Sequence, residues 1–143
     1  MKVKQISIFL ENRAGRLNNV VSYLGEANVN IRALSLADTS DFGILRMIVD
    51  QPERAQKVLA DKEFTYSLTD VIAVEVPDKP GGLGRVLAAL DRQGINVEYM
   101  YAFVEKSGDA AVIIFRFEEV ERAAEALNSQ GFNVLSNEEV LAL

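Results

Sequence analysis

Two short loops of this chain place a glycine and polar residues where a helix is predicted to begin. The first reads Asn12-Arg-Ala-Gly-Arg-Leu17, and the second, 66 residues later, reads Asp78-Lys-Pro-Gly-Gly-Leu83. A glycine at a helix start lets a ligand come close to the backbone and leaves the first N–H groups without helical partners. Such N–H groups, together with the helix dipole, attract a carboxylate. The two loops are therefore predicted sites for a small anionic group.

Polar side chains near these loops suggest partners for the rest of a ligand. Asn30 and Asn96 stand in the turns after the two predicted helices, where an amide can meet an ammonium or a carboxylate group. Asp78 can pair with an ammonium group, and Asn12 can do so only through its side-chain carbonyl. The alternative for both asparagines is that they satisfy backbone groups of a turn.

The loops belong to a longer repeat, because segments 12–31 and 78–97 coincide at one offset without gaps. The identical pairs are Gly15/Gly81, Leu17/Leu83, Val20/Val86, Leu24/Leu90 and Asn30/Asn96. A repeat of this kind predicts two copies of one structural unit. For a chain of 143 residues we expect two domains, 1–69 and 70–143. Each is near the lower size limit of an independent core, so we expect the two to lean on one another.

Composition narrows the possible functions. The chain has no Cys and no His, which excludes thiolate zinc sites and cysteine nucleophiles and removes the commonest general base. We therefore expect no metal and no cofactor. A net charge of −6 argues against a nucleic-acid surface. The start of the chain reads directly as a strand, so we expect no signal peptide, no transmembrane helix and a cytoplasmic location.

Hydrophobic periodicity gives the order of elements in the first unit. Alternation from Ile6 to Leu10 predicts a strand, and the apolar stripe from Leu17 to Ala27 predicts a helix. Asp50-Gln-Pro-Glu53 is similar to a capping box for a second helix. The remaining predicted elements are strands at 31–37, 44–49 and 64–68, with a hairpin turn at 38–43.

The second unit repeats this order. Its predicted elements are strands at 71–76, 97–104 and 110–117, a hairpin turn at 106–109, and helices at 82–93 and 118–130. Gly131 stands where a glycine is favoured after a helix. The apolar tail 140–143 aligns with strand residues 72–75, so we expect it to pair as an extra edge strand.

The order β-α-β-β-α-β is that of a ferredoxin-like split βαβ unit. The predicted fold class is α+β, with two such units in tandem and antiparallel sheets that carry helices on one face. The third strand of each unit, 44–49 and 112–115, is apolar on both faces. An uncovered apolar face normally marks an interface, so we expect it to be buried by the neighbouring unit, by a second chain, or by both.

The loop, helix and strand unit resembles the ACT domain, a regulatory module that binds small molecules, usually amino acids. The segment Glu75-Val-Pro-Asp-Lys-Pro-Gly-Gly-Leu83 is similar to the family pattern, as are the turns Val29-Asn-Ile31 and Ile95-Asn-Val97. In the first copy Ala14 replaces the usual proline, which is Pro80 in the second. The resemblance covers the whole chain as two tandem copies.

The resemblance and the chemistry above together give a set of predicted ligand-binding residues. They are Asn12, Ala14, Gly15, Arg16, Leu17, Asn30 and Ile31 in the first copy, and Asp78, Pro80, Gly81, Gly82, Leu83, Asn96 and Val97 in the second. The alternative is structural: the glycines and Pro80 then only shape turns, the leucines belong to the core, and Arg16 is solvated.

The second strands of the two copies carry side chains of different size. Tyr99, Tyr101 and Phe103 alternate on one face of the second copy, where the first copy has only small residues, Ala33, Ser35 and Ala37. If these faces meet a ligand, the two sites should differ or only one should work. The alternative is that the aromatic face is core or interface.

The function implied by the resemblance is a sensor that binds an amino acid or a similar carboxylate and regulates amino-acid metabolism. We expect a homodimer, with the ligand between one unit's glycine loop and a neighbour's second strand. The alternative is a regulatory subunit that docks on a separate biosynthetic enzyme, similar to the small subunit of acetolactate synthase. The segment Gly43-Ile-Leu-Arg-Met-Ile48 carries that likeness.

Other function classes fit the sequence poorly. An enzyme would need a nucleophile–base pair, and none is recognisable, so no catalytic residue is predicted. An RNA recognition motif shares the element order, but Asp41-Phe-Gly-Ile-Leu-Arg46 lacks its stacking aromatics. Gly81-Gly-Leu-Gly84 lacks the spacing and the Lys-Ser/Thr of a phosphate-binding loop.

Overall fold

The chain follows the predicted order of strands and helices in both halves, which confirms the tandem α+β fold. The computed structural model describes residues 2–38 and 41–143. Two compact units emerge: the first unit comprises residues 4–69, and the second unit comprises residues 1–3 and 70–143. The centre of the predicted turn 38–43, residues 39–40, lies outside the described residues.

The first unit is a four-stranded antiparallel sheet with two helices. Its elements are β1 (Val3–Glu11), α1 (Arg16–Glu26), β2 (Ile31–Asp38), β3 (Phe42–Val49), α2 (Pro52–Asp61) and the start of β4 (Thr65–Pro77). The strand order is β2-β3-β1-β4. β4 continues across residue 69 into the second unit, where it serves as the first strand.

The second unit repeats this arrangement with the second half of β4. Its further elements are α3 (Gly82–Arg92), β5 (Val97–Ala102), β6 (Ala110–Phe117), α4 (Val120–Ser129), β7 (Val134–Leu135) and α5 (Asn137–Leu141). The strand order is β5-β6-β4, and β7 pairs with β4 on the other side. Each element therefore has a counterpart in the first unit except α5.

Each unit has its own core between sheet and helices. In the first unit the alternating residues of β1 meet Val20 and Leu24 of α1 and Leu59 of α2. In the second unit Ile72, Val74 and Val76 meet the equivalent residues of α3 and α4. The period of two along the strands and the stripe along the helices thus converge on one apolar layer per unit.

Helix ends confirm the repeat at atomic detail. Asn28 and Gly94, which follow α1 and α3, both have positive φ (61° and 67°). Glu63 and Gly131, which follow α2 and α4, do so too (61° and 86°), and this confirms the prediction for Gly131. In each of these turns the N–H of the next residue donates to a carbonyl group of the preceding helix, a hydrogen bond typical of a left-handed helix end.

The predicted capping box at Asp50-Gln-Pro-Glu53 is wrong. Gln51 is the N-cap of α2 and makes no side-chain capping bond, while Pro52 begins the helix. The Asp50 carboxylate instead accepts the backbone N–H of Asn30 at 2.8 Å. The carboxylate thus tethers the turn before β2 rather than capping α2.

The predicted edge strand at the C-terminus is also wrong, because residues Asn137–Leu141 form the short helix α5. Ser136 caps this helix: its hydroxyl accepts the N–H of Glu139, and the Glu139 carboxylate accepts the N–H of Ser136. This capping box fixes a helical turn and buries Val140. The fourth strand of the second unit is β7, which was not predicted.

The sheet face without helices is only partly exposed. Ala33 and Ile48, opposite each other in the β2–β3 ladder, are fully buried. Phe9 and Phe42 on the same face remain exposed. In the second unit the aromatic residues Tyr99, Tyr101 and Phe103 share a face, as predicted, and Phe103 is buried.

Candidate functional site

The two glycine loops have the same backbone conformation. Gly15 is the N-cap of α1 with φ 91° and ψ −21°, and Gly81 is the N-cap of α3 with φ 84° and ψ −7°. This left-handed region is strained for residues with a Cβ. No side chain caps either helix. The glycines are thus required by the backbone turn, whatever else they do.

Each loop leaves backbone donors available at the helix start. The N–H groups of Leu17 and Asn18, and those of Leu83 and Gly84, have no hydrogen-bond partner within residues 2–38 and 41–143. The next N–H along each helix bonds to the glycine carbonyl, at 2.9 Å in α1 and 3.1 Å in α3. Two adjacent orphan donors at the positive end of a helix suit a carboxylate.

A cleft of about 410 Å³ lies beside the second loop. It is lined by Val76, Pro77, Asp78, Lys79, Pro80, Leu83, Ala111 and Ile113. The cleft has one apolar side, from β4 and β6, and one charged side, from Asp78 and Lys79. A volume of this size falls in the range of roughly 300–1,000 Å³ that small-molecule sites occupy.

The Asp78 carboxylate in this cleft forms an ion pair with the Lys106 ammonium from the turn after β5. The hydrogen bond from Lys106 and the charge of Asp78 raise the pKa of the Lys106 ammonium above its usual value of 10.5. Both side chains are about half exposed. Asp78 therefore already holds an ammonium group, which shows what the carboxylate can bind.

The first loop is organised by charged side chains instead. The Glu11 carboxylate lies 3.4 Å from Nε of Arg13 and 3.9 Å from Nε of Arg16. The Arg16 guanidinium also stacks over the Phe64 ring, 4.7 Å from its centroid. Arg16 is therefore held against its own unit and is not solvated.

The residue after the glycine also differs between loops. Gly82 is buried, and a Cβ built there would lie 2.0 Å from the Pro77 carbonyl oxygen. Only glycine fits where the backbone approaches itself this closely. The first copy has Arg16 at this position, so its backbone leaves room for a Cβ there.

Asn30 and Asn96 lie at the far end of the helix from their own unit's glycine. An α-helix of eleven residues spans about 16 Å, and α1 and α3 both have that length. Asn30 is bound to Asp50 through both of its backbone groups. Asn96 lines a separate small cleft of about 140 Å³ near Glu119 and Arg122. One small ligand cannot touch the loop and the asparagine of the same unit.

The other predicted site residues divide between surface and core. Asn12 and Ala14 are exposed, and the Asn12 N–H donates to the Asp41 carbonyl at 2.9 Å. Leu17 is 40% exposed, whereas Leu83 packs against the core of its unit. Ile31 and Val97 also pack against the core of their units.

Five residues that line the cleft at the second loop were not among the predicted site residues, and neither was Lys106; the five are Val76, Pro77, Lys79, Ala111 and Ile113. Ala111 and Ile113 belong to β6, and Lys106 pairs with Asp78 across 28 residues of chain. The repeat carries no signal for them, because the hairpin between β5 and β6 is two residues longer than its counterpart.

Among the described residues, no group of three or more Asp, Glu, His or Cys side chains has a metal-binding arrangement. In the same part of the chain, no helix is long and apolar enough to cross a membrane.

Comparison with known proteins gives a family over the whole chain. The sequence profile of the ACT domain pair matches residues 1–143. A crystal structure of a Bacteroides thetaiotaomicron protein is 38% identical, covers 100% of this chain and 98% of its own, and has a TM-score of 0.92. No curated protein is similar enough to count as a match.

More distant structures share the fold. The regulatory subunit of aspartate kinase from Thermus thermophilus, in its ligand-free form, is 17% identical over 90% of this chain and 92% of its own, with a TM-score of 0.60. The corresponding subunit from Thermus flavus is 16% identical over 88% of this chain and 90% of its own, with a TM-score of 0.59.

Proposed function

Because the chain belongs to the ACT domain family as an ACT domain pair, we propose that it is a regulatory protein that binds an amino acid and has no catalytic activity of its own. ACT domains are regulatory modules, and two of them account for all 143 residues. The proposal assigns the ligand to the glycine loops, and first to the loop at Gly81.

The observation that carries this choice is the cleft beside Gly81. Orphan N–H groups of Leu83 and Gly84 begin α3 there, and a cleft of about 410 Å³ adjoins the loop. The carboxylate of the amino acid binds these N–H groups, since the helix dipole adds to their attraction. Its side chain lies against Val76 and Ile113, which favours a small apolar group.

The ammonium group of the ligand binds the Asp78 carboxylate in this proposal. In the free protein that carboxylate holds Lys106, so the ligand replaces one ammonium by another. The exchange frees Lys106, on the turn after β5. Ligand binding would thereby change the surface of that turn, which gives the protein a way to report occupancy.

Titration calorimetry of the full chain against the twenty amino acids tests the proposal. At least one amino acid should bind to the wild type. Asp78→Asn should lower the affinity for that amino acid about tenfold, because a charge-assisted hydrogen bond is lost. Asp91→Asn, which removes an exposed carboxylate of α3, is the matched control and should leave affinity unchanged. Flat titrations for all twenty would rule out free amino acids as ligands.

We also propose that the chain forms a homodimer and that ligand binding is linked to it. An apolar patch recurs at the same offset in both units. It consists of Leu17, Val21, Leu34 and Leu36 in the first unit and of Leu83, Leu87, Met100 and Ala102 in the second. The four first-unit side chains are 38–51% exposed, and β2 and β5 are edge strands. Exposed apolar groups beside an unpaired strand edge favour pairing with another chain.

Light scattering after size exclusion tests the dimer. The wild type should elute as a dimer and Leu36→Lys as a monomer, because a charge would be buried in the interface. Lys57→Gln, on the exposed side of α2, is the control. Dimers that persist in Leu36→Lys would place the interface elsewhere, and a monomeric wild type would contradict the proposal.

A second candidate function is that of a regulatory subunit on a separate biosynthetic enzyme. Phe9 and Phe42, on the face of the first unit without helices, are 42% and 57% exposed, and aromatic residues of this kind are common at interfaces. Affinity purification should then recover one large catalytic subunit, lost in Phe42→Ser. Its activity should respond to the amino acid found by calorimetry.

A further inference from the structure

The two units differ around one phenylalanine that follows their second helix. Phe64 and Phe132 occupy equivalent positions, each in the turn that leads to the last strand. The backbone N–H of each donates a hydrogen bond to the preceding helix: Phe64 to the Leu59 carbonyl at 2.9 Å, and Phe132 to the Leu127 carbonyl at 3.0 Å. Phe64 is buried (6% exposed), whereas Phe132 is only half-buried.

In the first unit the chain itself covers the ring. The Arg16 guanidinium lies 4.7 Å from the Phe64 centroid, and the Tyr23 ring lies 6.2 Å from it. The Lys62 ammonium in turn lies 4.7 Å from the Tyr23 centroid. Two cations thus flank two tilted rings in one stack between α1 and α2, each contact adding to the next.

In the second unit all three covering side chains are replaced by smaller or neutral ones. Gly82, Ala89 and Gln130 stand at the positions of Arg16, Tyr23 and Lys62. Two adjoining clefts of about 250 Å³ each open there, and both include Arg85, Gln130 and Phe132 in their walls. The space that the first unit fills with its own side chains is open in the second.

The second unit also carries cations that the first lacks. Arg85 and Arg92 of α3 replace Asn19 and Glu26, so the groove gains two guanidinium groups. The guanidinium of Arg85 has no ion pair or hydrogen bond among residues 2–38 and 41–143. Arg92 donates one bond to the Gln130 amide oxygen at 2.7 Å and keeps its other donors.

We propose that this groove, lined by Arg85, Ala88, Arg92, Gln130 and Phe132, binds a small planar organic anion. The flat body lies on the Phe132 ring, and the anionic group lies between Arg85 and Arg92. Guanidinium groups recognise carboxylate and phosphate in a bidentate manner, and ring faces favour planar partners.

The groove is charged unevenly, which fixes the orientation of the ligand. Glu75 lines the end near Pro77 and Ala110, where its carboxylate accepts the Ser107 hydroxyl. Arg92 lines the opposite end. The anionic group therefore points toward Arg92, away from Glu75. Of the residues that line the amino-acid cleft beside Gly81, the groove shares only Pro77, so this proposal is independent of the one above.

Amide chemical-shift titration of the full chain with sodium benzoate tests the groove. Benzoate should shift the amides of Ala88, Gln130 and Phe132, with a dissociation constant on the order of 1 mM for so small a ligand. Cyclohexanecarboxylate has the same charge but no flat ring, and it should bind several-fold more weakly. Equal affinity of the two acids would overturn the stacking on Phe132.

Matched variants distinguish benzoate binding in the groove from non-specific electrostatic attraction of the anion. Arg85→Gln should weaken benzoate binding about tenfold and Phe132→Leu about fivefold, whereas Lys57→Gln, which removes an exposed charge from the first unit, should not change it. Benzoate affinity that is equal in the wild type and Arg85→Gln would overturn the proposal. So would shifts of these amides by a hexaglutamate peptide without any by benzoate, since the groove would then receive an acidic chain.

Discussion

The first and second units have the same order of strands and helices. They differ at the end near the glycine loop, where the space between the two helices is filled in one unit and open in the other. In the first unit Arg16, Phe64, Tyr23 and Lys62 form a stack that closes the space between the helices. In the second unit the same space is an open groove, and a larger cleft adjoins the glycine loop. The first copy of the repeat uses these side chains in its own packing, and we propose that the second leaves this space open for ligands. On this proposal, duplication permits a division between a stabilising copy and a binding copy.

Among the tests of this comparison, the substitution Gly82→Ala should have the largest effect on stability. The added Cβ would meet the Pro77 carbonyl oxygen at 2.0 Å, and overpacking of this kind costs about 3 kcal/mol. Gly84→Ala, where a Cβ meets nothing within 4 Å, should instead stabilise by about 0.5 kcal/mol. Urea unfolding of both variants gives the two free energies. An unchanged free energy of unfolding in Gly82→Ala would mean that the second loop accommodates a Cβ as easily as the first.

The second test compares the two N-cap glycines. Gly15→Ala and Gly81→Ala should destabilise equally, by about 1–2 kcal/mol, because both positions have positive φ and open space around the Cβ. Only Gly81→Ala should also reduce amino-acid binding. Thermal unfolding and calorimetry provide the two measurements. Equal loss of binding in both variants would show that the first loop binds as well.

The third test concerns the stack of the first unit. A double-mutant cycle with Arg16→Met and Phe64→Leu should give a coupling energy of about 1 kcal/mol, the usual strength of a partly buried cation–π contact. In the second unit, a cycle with Arg85→Met and Phe132→Leu should give no coupling in the absence of ligand. A coupling energy near zero in the first unit would remove the distinction between the two units.

The smallest expected effect concerns an ion pair of the second unit. Lys2 pairs with Glu121 of α4, and the hydrogen bond from Lys2 lowers the pKa of the Glu121 carboxyl below its usual 4.5. A lowered folded-state pKa means that the pair stabilises above pH 4.5 and that this contribution is lost as the pH falls through the folded-state pKa. Carboxyl NMR titration should give Glu121 a lower midpoint than in Lys2→Gln. Identical midpoints would show that the pair does not form in solution.

The repeat explains why so much of the fold was predictable. The offset of 66 residues aligned helices, loops and second strands, and all of these were confirmed. The predictions were wrong where side-chain hydrogen bonds favour one local structure and the pattern of apolar residues favours another. Leu141 and Leu143 favoured a strand, but Ser136 and Glu139 form a capping box that was visible in the sequence and decided for a helix. β7 was missed because only two of its residues pair.

The candidate sites were less predictable for a physical reason. Glycines at helix starts follow from local backbone geometry, so Gly15 and Gly81 were recognised. The contact of Arg16 with Phe64 joins residues 48 apart in the chain, and the cleft at Gly81 takes Ala111 and Ile113 from a distant strand. Such contacts depend on the final packing of helices on the sheet, which no local pattern encodes.

We propose that the second glycine loop is the amino-acid site, and amide NMR titration of both helix starts is the decisive measurement. The full chain is titrated with each of the twenty amino acids while the amides of both helix starts are followed. At least one amino acid should shift Leu83 and Gly84 and leave Leu17 and Asn18 unchanged. Shifts confined to the first loop, or none at either loop, would show that the second glycine loop is not the amino-acid site.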